Sequence, residues 1–288
     1  MKSILAALLV GYLAARLTWL STRPLFALPA LARHNFRGRS LPTAAGIVLP
    51  LAAVLVEGGR AVVASFGVGD GPARGARLLV LAAAVGFGLL GLIDDLAGGG
   101  GGVPAAGGGS DRGFRGHLGA LGRGRVTTGV VKLIGGGVLA LVVVAPYDVE
   151  APARLLADAA LVALCANLAN LFDRAPGRTI KAGLGAFALL LVAVRSSEDL
   201  SGIAVVIGAS LGLFLDDLHE RLMLGDAGSN VIGAVLGLGV VAVCAPATRD
   251  LALIGVAALN LAGELVSFSK VIDAVAPLRA VDQAGRRP

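Results

Sequence analysis

Gly91-Leu92-Ile93-Asp94-Asp95-Leu96 closes the apolar run 78–93 with two adjacent carboxylates, and a glycine-rich low-complexity segment follows at once. The run reads as a membrane helix, and that reading decides the fold. Two neighbouring aspartates at the end of such a helix cost free energy unless something uses them. An ionisable group at membrane depth therefore marks a candidate functional site. A solvated helix end is the plainer alternative. What separates the two is whatever else the chain brings to the same side.

The composition extends the reading to the whole chain. Its 288 residues are 56% hydrophobic and only 15% charged, with a mean hydropathy of +0.83. Those values belong to a polytopic membrane protein and leave no room for a soluble domain. Nine apolar runs reach or approach spanning length: 3–20, 44–56, 78–93, 126–145, 155–172, 182–194, 202–215, 227–247 and 251–269. The expected fold is all-α, a single membrane helix bundle over 1–288 with about nine transmembrane helices. Residues 97–110 are expected to form a flexible glycine-rich loop insert. The 43 glycines suit closely packed membrane helices and are compatible with a homodimer. The run after Lys2 lacks a small-residue cleavage site, so it reads as a retained first helix. Cys165 and Cys244 show neither metal spacing nor a disulfide framework. His34, His117 and His219 share no zinc-ligand spacing. Neither a Walker-type loop nor a serine-hydrolase elbow is present.

Lys and Arg set the orientation. One set of alternate loops holds Arg23, Arg33, Arg37 and Arg39, then Arg112, Arg115, Arg123 and Arg125, then Arg174, Arg178 and Lys181, then Arg221, then Lys270, Arg279, Arg286 and Arg287. The other set is sparse. The first set is therefore expected to be cytoplasmic, with the N-terminus out and the C-terminus in. The net charge of +6 follows from this bias, and nucleic acid is not an expected partner.

Four polar clusters then fall on the cytoplasmic face. They are Asp94-Asp95; Asn167-Leu-Ala-Asn170-Leu-Phe-Asp173; Leu224-Gly225-Asp226-Ala227-Gly228-Ser229-Asn230; and Asn35-Phe-Arg37-Gly-Arg39 with Pro42-Thr43. Asp94, Asp95 and Asp226 are hard oxygen donors of the kind that hold Mg2+ together with substrate phosphates. A spare carboxylate can act as a base. Asp226 also suits a helix N-cap, and the two roles can coexist. Asn167, Asn170 and Asp173 share one helical stripe, which serves either interhelical hydrogen bonds or a polar substrate. The basic loop with Arg115 and His117 suits lipid head groups or a diphosphate, against a background of ordinary positive-inside bias. Lys132 and Glu264 stand inside apolar runs and need partners.

In this order the clusters resemble the polyprenyl-phosphate N-acetylhexosamine-1-phosphate transferases. The matching pieces are Pro42-Thr43-Ala-Ala-Gly46, Asp94-Asp95, Asn167-x-x-Asn170-x-x-Asp173 and Leu224-Gly-Asp226-x-Gly-Ser229, spread over about two-thirds of the chain. The resemblance implies an enzyme of the inner (plasma) membrane with its active site on the cytoplasmic face. Its partners would be a UDP-N-acetyl sugar, undecaprenyl or another polyprenyl phosphate, and membrane lipids. It implies Mg2+, with Mn2+ as a substitute, held by Asp226 and Asp94. Asp94 and Asp95 would position or deprotonate the lipid phosphate. Asn167, Asn170, Asp173, Lys132, Arg115, His117, Arg37 and Thr43 would line the substrates. Two features depart from the family. Pro176 stands near where the third motif usually carries a second aspartate, and the His-x-His of the last cytoplasmic loop is absent. A catalytically degenerate partner is one competing reading. A transporter is another, although it would want polar groups at the bilayer midplane and an internal repeat.

Overall fold

The computed structural model describes residues 2–35, 37–69, 71, 73–97, 128–194 and 198–287. The expected insert at 97–110, apart from Ala97 itself, lies outside them, as do Arg115 and His117. Eleven helices make up the described fold. They are α1 (Lys2–Thr22), α2 (Val48–Ser65), α3 (Ala76–Ala97), α4 (Thr128–Asp148), α5 (Pro152–Phe172), α6 (Arg178–Val194), α7 (Ser201–Leu218), α8 (Asp226–Val243), α9 (Pro246–Leu265), α10 (Phe268–Ala274) and α11 (Ala276–Gln283).

Each of the nine apolar runs falls largely on a helix within the described residues, but 227–247 runs past the end of α8 at Val243, and not all make full spans. Among the described residues, seven helices are long and apolar enough to cross a membrane, or eight if one bent pair counts as a span. The helix α6 has 17 residues and falls short of the others. The last run breaks at Val266, whose extended backbone (φ −135°, ψ 145°) turns the chain between α9 and α10 by 94°. One small β-element interrupts the helical pattern. β1 (Ala32–His34) pairs antiparallel with β2 (Ser40–Pro42). In the turn, Asn35 Oδ1 accepts the backbone N–H groups of Arg37 and Arg39 at 3.0 and 2.9 Å.

Burial sorts the bundle. Windows on α7 and α8 are 78% and 72% buried, against 28–39% for the other five spanning candidates. A helix apolar on every side belongs inside a bundle. The peripheral helices instead show large apolar side chains outward, such as Leu17, Leu189, Val192 and Leu251. In water such surface would be a liability; in lipid it is the expected exterior. The helix α7 packs chiefly on α1; α8 packs on α3 and α5, α4 packs on both α3 and α5 as well, and α9 packs chiefly on α5.

The two ends of the bundle differ. At one end, buried Asp158 of α5 holds Arg154 (2.5 Å) and Arg249 (2.7 Å), and Arg154 reaches on to Asp250. Glu57 pairs there with Arg60 and Arg77. These closed networks tie helix ends together. The other end carries the C-termini of α3, α5 and α7 and the N-termini of α4 and α8, and it gathers the polar clusters.

Candidate functional site

The α8 N-terminus is the hub. Gly225 precedes it with φ 70°, a left-handed backbone that a side chain would strain, and a Cβ there would lie 2.6 Å from an Asp95 oxygen. Asp226 is the first residue of α8. Its own side chain does not cap the helix. The Asp95 carboxylate from α3 does: Oδ1 accepts the Asp226 N–H and Oδ2 accepts the Ala227 N–H, both at 3.0 Å. The first N–H groups of a helix lack internal partners, and a carboxylate there also meets the favourable end of the dipole. Both Asp95 oxygens are thus engaged in holding α8.

The Asp226 side chain is left to face the other helices. Lys132 Nζ, one turn into α4, bonds to its Oδ2. Asn170 Nδ2, at the end of α5, donates to the same oxygen at 2.7 Å and approaches Asn230 Oδ1 at 3.5 Å. Lys132 Nζ is also 3.6 Å from Asp94 Oδ2, and the Asp94 carboxyl lies against that of Asp226. Four helices therefore contribute Asp94, Lys132, Asn170 and Asp226 to one spot.

This spot opens on an apolar cavity of about 360 Å³ whose lining includes Phe87, Leu90, Leu133 and Leu164 as well as Asp94 and Lys132. Asn167 and Glu264 border the same cavity. Asn167 spends its amide on α9, donating to Asn260 Oδ1 at 2.7 Å, so the interhelical role is the one seen. On the other side, a cavity of about 340 Å³ is bordered by Thr43, Asp173, Asp217, Glu220 and Asp226. Asp173 follows the last residue of α5 and accepts from Thr179 Oγ1 at 3.2 Å. Desolvation first, then the charges of Asp217 and Asp226, push its carboxyl well above the ordinary range. Thr43 is nearly buried, and its N–H bonds Leu31 O at 2.7 Å. Arg37 is not brought to the Asp226 cluster. It pairs with Glu220 at 3.4 Å and borders a separate cavity.

Asp216 and Asp217 form a further acidic pair outside the four clusters. Phe214-Leu215-Asp216-Asp217-Leu218 repeats the pattern of Leu92-Ile93-Asp94-Asp95-Leu96 at the end of a second apolar run, and that signal was available. The two pairs divide their work alike. The first aspartate faces cations: Asp216 meets Arg16 (2.5 Å) and Arg221 (3.1 Å), as Asp94 meets Lys132. The second holds backbone: Asp217 accepts the N–H groups of Gly177 (2.8 Å) and Leu224, as Asp95 holds α8.

The donor set at Asp226 can be tested against the cation that the resemblance implies. Among the described residues no three His, Cys, Asp or Glu side chains converge closely enough to hold a metal by themselves. Mg2+ held by one or two carboxylates and by substrate phosphates needs no third. The Lys132 ammonium sits between the Asp94 and Asp226 carboxylates. The oxygen donors fit Mg2+. No family model matches the chain, and neither does any curated protein.

Proposed function

We propose that this chain is a Mg2+-dependent membrane transferase. It moves N-acetylhexosamine-1-phosphate, GlcNAc-1-phosphate or a close relative, from a UDP-sugar to a polyprenyl phosphate such as undecaprenyl phosphate and releases UMP. The setting is the cytoplasmic face of a bacterial plasma membrane, in cell-wall or surface-glycan synthesis. The single observation that carries the reading is the meeting of Asp94, Lys132, Asn170 and Asp226 at the mouth of an apolar cavity.

The chemistry follows from that meeting. An oxygen of the lipid phosphate attacks the β-phosphorus of the UDP-sugar, and the bond to the α-phosphate oxygen breaks as UMP leaves. Such a step needs positioning and charge neutralisation more than covalent help. The apolar cavity takes the first part of the lipid chain and leaves its phosphate beside Lys132. Asp226 and Asp94 would hold Mg2+, which when bound would neutralise phosphate charge. Lys132 then turns from the carboxylates to the phosphate. Asn170 keeps Asp226 oriented, and Asp95 keeps the start of α8 in place.

The test uses membranes containing the chain, undecaprenyl phosphate and Mg2+. UDP-GlcNAc and UDP-MurNAc-pentapeptide are supplied in parallel, and UMP and lipid-linked product are followed. Product with one donor, abolished by Asp226→Asn, is the expected result. If a broad panel of nucleotide sugars yields no product from folded protein, the reading falls.

A further inference from the structure

A second polar cavity, of about 560 Å³, lies at the same end of the bundle, away from Asp94 and Lys132. Arg37, Arg174, Arg178, Arg286 and Arg287 border it, with Asp273 as the acidic side chain in the wall. The chain builds it from three distant pieces: the β1–β2 turn, the α5–α6 connection, and the segment from α10 to beyond α11. Asp282 of α11 is the buried clasp. Arg178 grips both its oxygens at 2.7 and 2.9 Å, and Arg286 adds a third bond at 2.7 Å. Burial opposes the charge on Asp282, but the two guanidiniums outweigh it and hold the carboxyl below its ordinary range.

The charges do not cancel. Five guanidiniums face Asp273, Asp282 and Glu220, and Glu220 is shared with Arg39. Among the described residues this leaves two positive charges in excess. The side chains of Arg174 and Arg287 are exposed and bond to no partner among the described residues. Ordinary positive-inside bias would scatter arginines along the loops. Here five converge on one concave space whose walls are fixed by a buried ion pair. Planar guanidiniums in such an array suit phosphate oxygens, which they engage in forked, charge-assisted hydrogen bonds.

We propose that this arginine cavity is a binding site for a phosphate-bearing anion. Arg174 and Ala175 border both this cavity and the one that holds Asp173 and Asp226, so a bound anion sits next to the candidate active site. The inference does not depend on the reaction proposed above, and its test is a binding measurement. Two sources supply the same chemistry, a soluble diphosphate and an anionic lipid headgroup.

The full chain is placed in nanodiscs of phosphatidylcholine. Inorganic pyrophosphate is titrated by calorimetry in one arm. In the other, phosphatidylglycerol is added to the discs and the thermal midpoint is read. The variants are Arg174→Ala with Arg287→Ala, the charge-conserving Arg174→Lys with Arg287→Lys, and Arg23→Ala as an exposed arginine outside the cavity. Expected is a loss of pyrophosphate affinity of about tenfold or more in the alanine pair. The lysine pair should recover part of it, and Arg23→Ala should bind as wild type. A response confined to the phosphatidylglycerol arm, lost in the same pair, supports the site and names the headgroup as its source. No response in either arm, equal binding by the alanine pair, or equal weakening by Arg23→Ala overturns the proposal.

Discussion

Asp95 Oδ1 accepts the backbone N–H of Asp226 at 3.0 Å, so one acidic residue fixes the starting point of the helix that carries another. The adjacent aspartates of α3 therefore have different duties. Asp94 faces Lys132, and Asp95 holds backbone. Asp95→Ala should lose the cap and lower stability by about 1–2 kcal/mol. Asp95→Asn keeps one acceptor and should lose less. Asp226→Asn should keep the thermal midpoint and lose product formation. Thermal unfolding in detergent beside the transferase assay checks this. If Asp95→Ala unfolds at the wild-type temperature, Asp95 is not the cap that matters.

The approach of α3 to α8 depends on Gly91. A Cβ at that position would lie 2.2 Å from the Asp226 carbonyl oxygen and 2.5 Å from the Ala227 nitrogen. These neighbours are backbone and cannot swing aside. Gly91→Ala should therefore push the two helices apart, at a cost of about 1–3 kcal/mol, and weaken the Asp95 cap with it. Gly137→Ala is the control, because nothing lies within 4 Å of a Cβ there. It should be neutral or slightly stabilising, since alanine favours a helix interior. Equal melting of the two variants would count against the close crossing.

The helices and the acidic hub were legible in the sequence because each rests on a local signal. An apolar run ending in Asp-Asp, and a glycine before Asp226, need only neighbours along the chain to be read. Which carboxylate caps which helix was not legible. Asp226 looked like its own cap, and only the crossing of α3 over α8 hands that role to Asp95. Asn167 likewise sits on a polar stripe with Asn170, yet a shift of one helical turn directs it to Asn260 instead of Asp226. The break at Val266 was hidden inside a continuous apolar run. Asp217 was the avoidable omission, since its sequence pattern repeats that of Asp95.

At the opposite end, Asp158 is fully buried between Arg154 and Arg249. Asp158→Ala would leave both guanidiniums without their shared partner in a dry setting. A broken buried ion pair of this kind costs about 3–5 kcal/mol. Asp250, which meets Arg154 from a side chain 56% exposed, provides the contrast. Asp250→Ala should cost under about 1 kcal/mol, because solvent screens such a pair. Denaturant unfolding in mixed micelles ranks the two. Equal losses would show that burial does not govern this network.

Asp173 gives the bundle a pH response of predictable sign. Desolvation, the nearby Asp217 and then Asp226 all raise its carboxyl, and the Thr179 hydroxyl opposes them only in part. The folded chain therefore keeps this proton at pH values where the unfolded chain has lost it. Stability falls wherever the folded state binds the extra proton. The fall begins near the unfolded value of about 3.9 and ends once pH passes the raised folded value. Asp173→Asn removes that contribution, so its stability relative to wild type should grow as pH rises through this window. Thermal midpoints of both proteins across the weakly acidic to neutral range check the sign. Parallel curves would mean that Asp173 is ionised in the folded protein much as it is in water.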